Sequence, residues 1–249
     1  MDALQFTRDH QAYFEDYVTR STYHSNAIEG STLSFAETYA ILWNDNTMKV
    51  TATARELYEA INHKYALATA SENMDDPLSE RLVKAIARDI NRNISGIDDY
   101  RHGQVIIRGA EHLPPAANQV NQLMMQLVYE YNHDEGGDPF LREARFHVRF
   151  ERIHPFEEGN GRSMRIWLDA MLRQELGVVI DWSQVDKEDY LLAMERSPVR
   201  DREIKALLNA ALTDKAADRE VFMKGIDASY RYEGLEEYET GNLPEDDED

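Results

Sequence analysis

Apolar residues recur at intervals of three and four along most of this chain, which is the spacing of one face of an α-helix. The pattern predicts helices over residues 3–22, 34–44, 51–73, 78–95, 116–133 and 138–152, one directly after Arg162, and three more over Lys187–Arg196, Arg202–Thr213 and Asp218–Tyr232. Thr51 or Thr53 is a suitable N-cap for the helix at 51–73. No repeat of fixed period and no Gly/Ser-rich linker interrupts the series. We therefore expect an all-α protein with a single multi-helix domain.

Within that domain the sequence suggests three regions. Residues 1–95 form an N-terminal helical region, residues 96–234 a core with the C-terminal helices, and residues 235–249 an acidic tail. The tail holds eight Asp and Glu residues and no Lys or Arg. Such a composition favours a disordered, solubilising end of the chain.

The segment Tyr100–Ala110 breaks the helical period. Val105, Ile106 and Ile107 form a β-branched triplet between two glycines, which is typical of a short strand or β-hairpin. An exposed strand edge of this kind can pair with an extended segment of a partner protein through main-chain hydrogen bonds. A buried crossing loop that places the same three side chains in the core fits the sequence equally well.

Composition limits the classes of function. The chain has 249 residues, 27 Lys and Arg, 47 Asp and Glu, and no cysteine, which gives a formal net charge of −20. This charge argues against a nucleic-acid or anionic-membrane surface, and the lack of cysteine fits a reducing compartment. The first residues lack a basic and then apolar leader, and no window reaches the apolar length of a membrane span. We expect a cytoplasmic protein without nucleic-acid or membrane partners.

The most informative stretch runs from His154 to Arg165, just ahead of a strongly amphipathic helix. The apolar face of that helix is formed by Met164, Trp167, Leu168, Met171, Leu172 and Leu176. Gly159, Asn160 and Gly161 therefore lie where the helix begins. Glycines at that position allow backbone N–H groups to converge on an anion, and the positive end of the helix dipole points the same way.

The side chains of this stretch suit a nucleoside triphosphate. Glu158 offers a hard oxygen ligand for magnesium beside the phosphates. Arg162 and Arg165 are three residues apart, so they share a helix face and can hold phosphate oxygens. His154 titrates near neutral pH and can accept the proton of an attacking hydroxyl. The residues by themselves predict a phosphate site beside a base.

The string His154-Pro155-Phe156-Glu157-Glu158-Gly159-Asn160-Gly161-Arg162-Ser163-Met164-Arg165 resembles the signature of Fic-domain proteins at every fixed position. The resemblance implies a Fic fold and transfer of AMP from ATP to a hydroxyl of a protein, with Mg²⁺. It implies that His154 is the general base, that Glu158 is the magnesium ligand, and that Asn160 holds the α- and β-phosphates together with the amides of Gly159 and Gly161. Arg162 would contact the polyphosphate and Arg165 the γ-phosphate. The resemblance also favours Val105, Ile106 and Ile107 as a target-docking flap.

Two segments match the short pattern Ser-x-x-x-Glu-Gly, which marks an inhibitory helix in Fic proteins. One contains Glu29, within the segment 23–31, and the other contains Glu233. In the family, this glutamate pairs with the second arginine of the signature and blocks the γ-phosphate position. The chain carries both patterns, and we favour Glu29 because Gly30 and Ser31-Thr32-Leu33-Ser34 can turn the chain and cap the next helix.

The favoured function is self-inhibited transfer of AMP to a Ser, Thr or Tyr hydroxyl of a protein substrate, including the chain itself. Removal of AMP from a modified protein, with the inhibitory glutamate as the base, is an alternative. A catalytically idle regulator that binds a nucleotide and a partner is another. The sequence leaves open the target protein and the oligomeric state, with a homo-oligomer among the arrangements that fit.

Overall fold

The computed structural model describes residues 11–43, 49–107, 111–134, 137–176, 180–197 and 201–211. Their helices are α1 Gln11–Glu29, α2 Phe35–Trp43, α3 Ala54–Glu72, α4 Glu80–Ile90, α5 Ala117–Asn132, α6 Pro139–Ile153, α7 Asn160–Leu176, α8 Lys187–Arg196 and α9 Asp201–Ala211, with a 3₁₀ helix at Trp182–Gln184. These ranges contain no β-strand. The expected all-α class is confirmed. The helix expected at Asp218–Tyr232, the tail and Glu233 lie outside the described residues.

The helix boundaries follow local capping chemistry. Thr53, and not Thr51, caps α3, because its hydroxyl accepts from the Glu56 amide while the Glu56 carboxylate accepts from the Thr53 amide. Helix α4 ends at Ile90, earlier than the expected residue 95, because the Asn91 side chain donates to the carbonyl of Ala87 at 2.8 Å. Asn93 then adopts a positive φ of 62°.

Helix α1 extends further than the predicted end at residue 22. It continues to Glu29, so the segment 23–31 is the last part of a 19-residue helix and not a short helix of its own. Gly30 ends it with a φ of +99°. The amide of Gly30 donates to Ala27 and that of Ser31 to Asn26, both at 3.0 Å, which is the Schellman arrangement that needs a left-handed residue. Ser34 then caps α2 together with Glu37.

Helix α7 lies at the centre of the fold and packs against α1, α3, α4 and α6. Its predicted apolar residues Met164, Trp167, Leu168, Met171 and Leu172 are buried, and Leu176 is partly buried. Two hydrophobic clusters meet on this helix, one built from α1 and α3 to α6, the other from α6, α8, α9 and the segment 180–185. Because the helix is enclosed on most sides, its polar residues Arg162, Arg165, Asp169 and Arg173 are buried as well, and each then requires polar partners.

The expected β-hairpin is absent from residues 100–107 and 111–116, and residues 108–110 lie outside the described residues. Side-chain hydrogen bonds hold this segment in place of a strand ladder, and Gln104 donates to the Pro114 carbonyl at 3.1 Å. Arg101 donates to the carbonyls of Gly103 at 2.9 Å and Pro115 at 2.7 Å, which joins the two ends of the segment. The crossing-loop alternative is also wrong, because Ile106 is 78% exposed. The triplet therefore lies at the surface in irregular backbone.

Candidate active site

His154 caps the C-terminal end of α6 in a left-handed conformation with φ 50° and ψ 62°. Residues other than glycine adopt this conformation rarely, and it tends to occur at functional sites. The His154 amide still donates to the carbonyl of Phe150 at 2.8 Å, so the helix holds the backbone of this residue. The ring nitrogen Nδ1 lies 3.3 Å from the carbonyl oxygen of Glu151 and 3.8 Å from its carboxylate. This arrangement leaves Nε2 as the nitrogen free to act on a substrate.

Burial lowers the pKa of His154 below its ordinary value. Its side chain is 18% exposed, so the charged form loses solvation, and the bond to Glu151 and the charge of Glu29 restore it only in part. The imidazole is therefore neutral at pH 7. A neutral imidazole is the form that accepts a proton.

The loop between His154 and α7 is fixed from both ends. Phe156 is fully buried, and the Asn160 side chain accepts from the Phe156 amide at 3.0 Å and donates to the Phe156 carbonyl at 2.9 Å. Arg101 donates to the carbonyl of His154 at 2.8 Å through Nε. Asn160 thus shapes the loop through its side chain, and the second N–H of its amide group is not used in these two bonds. Its expected contact with phosphates stays a prediction.

Close contacts surround both glycines, and the backbone of Gly159 is in the left-handed region. Gly159 has a φ of +79°, and a Cβ there would lie 2.6 Å from the Asn91 side chain. A Cβ on Gly161 would lie 2.7 Å from Glu29 Oε1 and 2.9 Å from Arg165 Nη1. The first amides of a helix have no partner within it, so those at the start of α7 point out of the helix beside the Glu29 carboxylate. A carboxylate of the chain itself thus lies at the end of a helix that favours anions.

Arg162 is 3% exposed and poorly satisfied. Its Nη1 lies 3.3 Å from Glu59 Oε1, at an angle outside hydrogen-bond geometry, and neither Nε nor Nη1 has a hydrogen-bond partner among the described residues. Burial lowers the pKa of Arg162, although a guanidinium remains charged at any neutral pH. A buried cation with unused donors is the feature expected of an anion-binding residue.

Arg165, in contrast, is fully engaged by α1. It is 2% exposed, and its Nη2 donates to Glu29 Oε1 at 2.6 Å and to the carbonyl of Ser25 at 3.1 Å. Its Nε donates to the Ser25 hydroxyl at 2.9 Å. Partial burial by itself would raise the pKa of Glu29, but the charge and hydrogen bond of Arg165 outweigh it, so this pKa is lowered. The Ser-x-x-x-Glu spacing places both partners one helical turn apart, on the face toward Arg165.

The end of α1 is also tied to α3. The Glu56 carboxylate accepts from the amide of Thr32 at 2.9 Å and from its hydroxyl at 2.7 Å. The hydroxyl and amide bonds from Thr32 and Thr53 lower the pKa of Glu56 to about 2. The chain that leaves Glu29 is therefore anchored three residues later.

Glu158 forms an ion pair with Arg55 of α3, and Arg55 Nε also donates to Glu59 Oε1 at 3.0 Å. No group of three or more His, Cys, Asp or Glu side chains arranged around a metal occurs in the described ranges. The donor set thus fits magnesium only with phosphate oxygens as the remaining ligands, which is the usual arrangement for this ion. Sequence reasoning did not find Ser25, Arg55, Glu59 or Arg101. Only Ser25 had a sequence signal, as the first residue of the inhibitory pattern.

Residues 77–172 match the model of the Fic/DOC family. This part of the chain, which contains the signature loop and most of α7, is therefore similar to that family. The contacts of Ser25 and Glu29 with Arg165 are made from outside the matched range.

Two curated proteins are similar to part of this chain. A probable protein adenylyltransferase of Aquifex aeolicus is 32% identical over 120 residues, which cover 48% of this chain and 36% of that protein. The protein adenylyltransferase Fic of Drosophila virilis is 28% identical over 171 residues, covering 65% and 33%. The chain thus spans about a third of the length of these curated relatives.

Solved structures share the fold. A Fic family protein from Desulfovibrio desulfuricans has a TM-score of 0.65 and 25% identity, over 88% of this chain and 66% of that one. A Fic domain containing signaling protein from Bacteroides thetaiotaomicron has a TM-score of 0.66 and 21% identity, over 95% and 97%. No helix in the described ranges has the length and apolar character needed to cross a membrane.

Proposed function

We propose that the chain transfers AMP from ATP to a Ser, Thr or Tyr hydroxyl of a protein, and that Glu29 holds this activity in check. The supporting observation is that three features converge on one loop: a neutral, left-handed His154, the start of α7, and the buried arginines Arg162 and Arg165. The names of the curated relatives, protein adenylyltransferases, support the same reaction.

In this mechanism the target hydroxyl is the nucleophile. Its oxygen attacks the α-phosphorus, the bond from that phosphorus to the oxygen bridging to the β-phosphate breaks, and pyrophosphate leaves with the electron pair. His154 accepts the hydroxyl proton at Nε2, because Nδ1 faces Glu151. The first amides of α7 and Arg162 offset the charge on the phosphates. Magnesium held by Glu158, when bound, would neutralise phosphate charge and align the leaving group.

Inhibition follows from competition for one guanidinium. The family resemblance implies that Arg165 binds the γ-phosphate, whereas in this structure Arg165 is paired with Glu29. The Glu29 carboxylate also lies against Gly161, where a phosphate at the helix end would approach. A triphosphate therefore has to displace Glu29 or bind in an unproductive pose.

Removal of AMP finds less support. It would use Glu29 as the base that activates water, but the pairing with Arg165 lowers the pKa of this carboxylate and weakens it as a base. For the docking of a protein target we retain Val105, Ile106 and Ile107. Ile106 is 78% exposed, and an irregular exposed backbone can still pair with an extended peptide.

The experiment is incorporation of label from ATP labelled at the α-phosphorus, with the chain itself and a cell lysate as acceptors. We expect weak labelling by the wild type, strong labelling by Glu29→Gly and none by Glu29→Gly with His154→Ala. Label lost from premodified protein supports the removal reaction instead. Nucleotide binding without transfer or removal by any variant identifies an idle regulator and overturns the proposal.

A further inference from the structure

Four charged side chains of alternating sign connect α3 to the signature loop. Arg55 pairs with Glu158, Arg55 Nε donates to Glu59 Oε1 at 3.0 Å, and Arg162 Nη1 lies 3.3 Å from the same Glu59 oxygen. The outer two side chains, Glu158 and Arg55, are 32% and 52% exposed, whereas Glu59 and Arg162 are 10% and 3% exposed. One end of the series is thus at the surface and the other is buried beneath the loop.

The two ends coincide with two residues of the proposed reaction. Glu158 is the proposed magnesium ligand and Arg162 the proposed polyphosphate ligand. Neither Arg55 nor Glu59 belongs to the signature, and both lie outside the residues 77–172 that match the family. Helix α3 therefore supplies one counter-ion to each signature residue.

We propose that Arg55 is a built-in counter-ion of Glu158, which a divalent cation must displace when a nucleotide binds. This inference rests on the proposed function for the identity of the site. In this structure Arg55 pairs with the Glu158 carboxylate, so a cation that binds this carboxylate competes with the guanidinium. Metal binding then becomes an exchange of one positive partner for another, and the concentration of metal required rises.

Arg55 has a second partner, Glu59, to which it can stay bound after a cation displaces it from Glu158. Arg55 is half exposed and keeps its bond to Glu59 when it leaves Glu158, so the exchange strands no buried charge. Glu59 can hold Arg55 more closely once Arg162 turns its unused donors to phosphate oxygens. The exchange at Glu158 is therefore coupled through Glu59 to anion binding at Arg162.

A competing role for Arg55 is direct binding of phosphate. A phosphate ligand and a counter-ion have opposite effects when the guanidinium is removed. Loss of a phosphate ligand weakens nucleotide binding with or without metal. Loss of a counter-ion strengthens metal binding and requires Glu158 to do so.

The test measures binding and not transfer, with ADP as the nucleotide and Mn²⁺ as the cation. ADP lacks the γ-phosphate, so the Glu29–Arg165 pair need not open. The free Mn²⁺ signal in electron paramagnetic resonance gives the metal midpoint at saturating ADP, and calorimetry gives the ADP affinity in EDTA. The variants are Arg55→Gln, Glu158→Gln, the double variant, and Arg149→Gln as a matched control. Arg149 forms a similarly exposed ion pair with Glu130 away from the site.

We expect Arg55→Gln to lower the Mn²⁺ midpoint about two- to five-fold, the range for an exposed ion pair. The change should vanish in the Glu158→Gln background, and Arg149→Gln should match the wild type. An unchanged or higher midpoint in Arg55→Gln, with ADP and Mn²⁺ binding intact in the wild type, overturns the counter-ion role alone. Failure of the wild type to bind Mn²⁺ with ADP overturns the proposed function together with it.

Discussion

Two ion pairs lie beside the start of α7, Glu29–Arg165 and Arg55–Glu158. They differ in how deeply the arginine is buried. In the Glu29–Arg165 pair the arginine is 2% exposed, and Ser25 gives it two further acceptors. In the Arg55–Glu158 pair the arginine is 52% exposed, and it keeps a second partner in Glu59. The first pair fixes a buried cation, whereas the second holds an exposed one.

The difference in depth suggests different consequences for binding. A buried guanidinium that loses its carboxylate remains away from water and attracts another anion strongly. An exposed arginine that loses its carboxylate is solvated and costs little. Glu29 is therefore suited to control whether a triphosphate binds productively, and Arg55 to set the metal concentration at which it does so.

The largest effect is expected at His154, the proposed general base. His154→Ala in the Glu29→Gly background should reduce transfer by roughly 10²–10⁴, the usual contribution of a general base. The affinity for ATP should stay within a few fold, because neither pair contacts the ring. Rates of incorporation of α-label, with ATP affinity from calorimetry, measure both quantities. A variant with normal transfer would remove His154 from the mechanism.

The next largest effect is expected when the Glu29–Arg165 pair is broken. Glu29→Gly should raise self-modification about 10- to 30-fold, because a hydrogen bond to a charged group contributes roughly 1.5–3 kcal/mol and Glu29 is partly exposed. Glu233→Gly serves as the matched control and should stay near the wild type. Activation by Glu233→Gly alone would transfer the inhibitory role to that residue, and activation by neither would exclude inhibition by this route.

The role of Glu158 in the Arg55–Glu158 pair is tested through the dependence of transfer on Mg²⁺. Glu158→Gln should weaken the dependence of transfer on Mg²⁺ by about tenfold, as for loss of a group that supports a metal site. EDTA should silence the wild type, and circular dichroism should show an intact fold. Full transfer by the wild type in EDTA contradicts a metal at Glu158.

A smaller effect should appear at Ser25, the neutral partner of Arg165. Ser25→Ala removes one acceptor of Arg165, the hydroxyl at 2.9 Å, and leaves the carbonyl. A neutral partner contributes about 1 kcal/mol, so inhibition should weaken about fivefold or less. Self-labelling of Ser25→Ala is compared with Ser31→Ala, a residue outside the pair. Equal labelling by the two variants would show that Glu29 alone holds Arg165.

The smallest effect is expected from pH. The pKa of Glu29 lies below its ordinary value, so the carboxylate stays ionised above pH 4.5 and the pair is lost only as pH falls through its lowered pKa. The pKa of His154 is lowered too, so the base stays neutral below the ordinary histidine range. The ratio of Glu29→Gly to wild-type labelling should be constant from about pH 8 to 5. A ratio that falls toward 1 between pH 7 and 5 would show release of inhibition by a proton.

Local sequence was a good guide to the helices and to the signature. The start of α7 at Asn160, the bounds of α8 and the Thr53 cap follow from periodicity and capping, which act over a few residues. The β-branched triplet Val105-Ile106-Ile107 was misleading. Its β propensity needs a neighbouring strand to take effect, and the segment is held by the Arg101 side chain instead.

The sequence by itself determined the all-α class and the resemblance to the Fic signature, and it predicted a phosphate loop and two candidate inhibitory glutamates. Which partners these residues take was decided only by the tertiary structure. The packing of α1 and α3 on α7 places Glu29 on Arg165 and Arg55 on Glu158, across 136 and 103 residues of chain. It also assigns Asn160 to the loop and leaves Arg162 with unused donors. Periodicity reports which face of a helix is buried, whereas the pairing of charges depends on how whole helices cross.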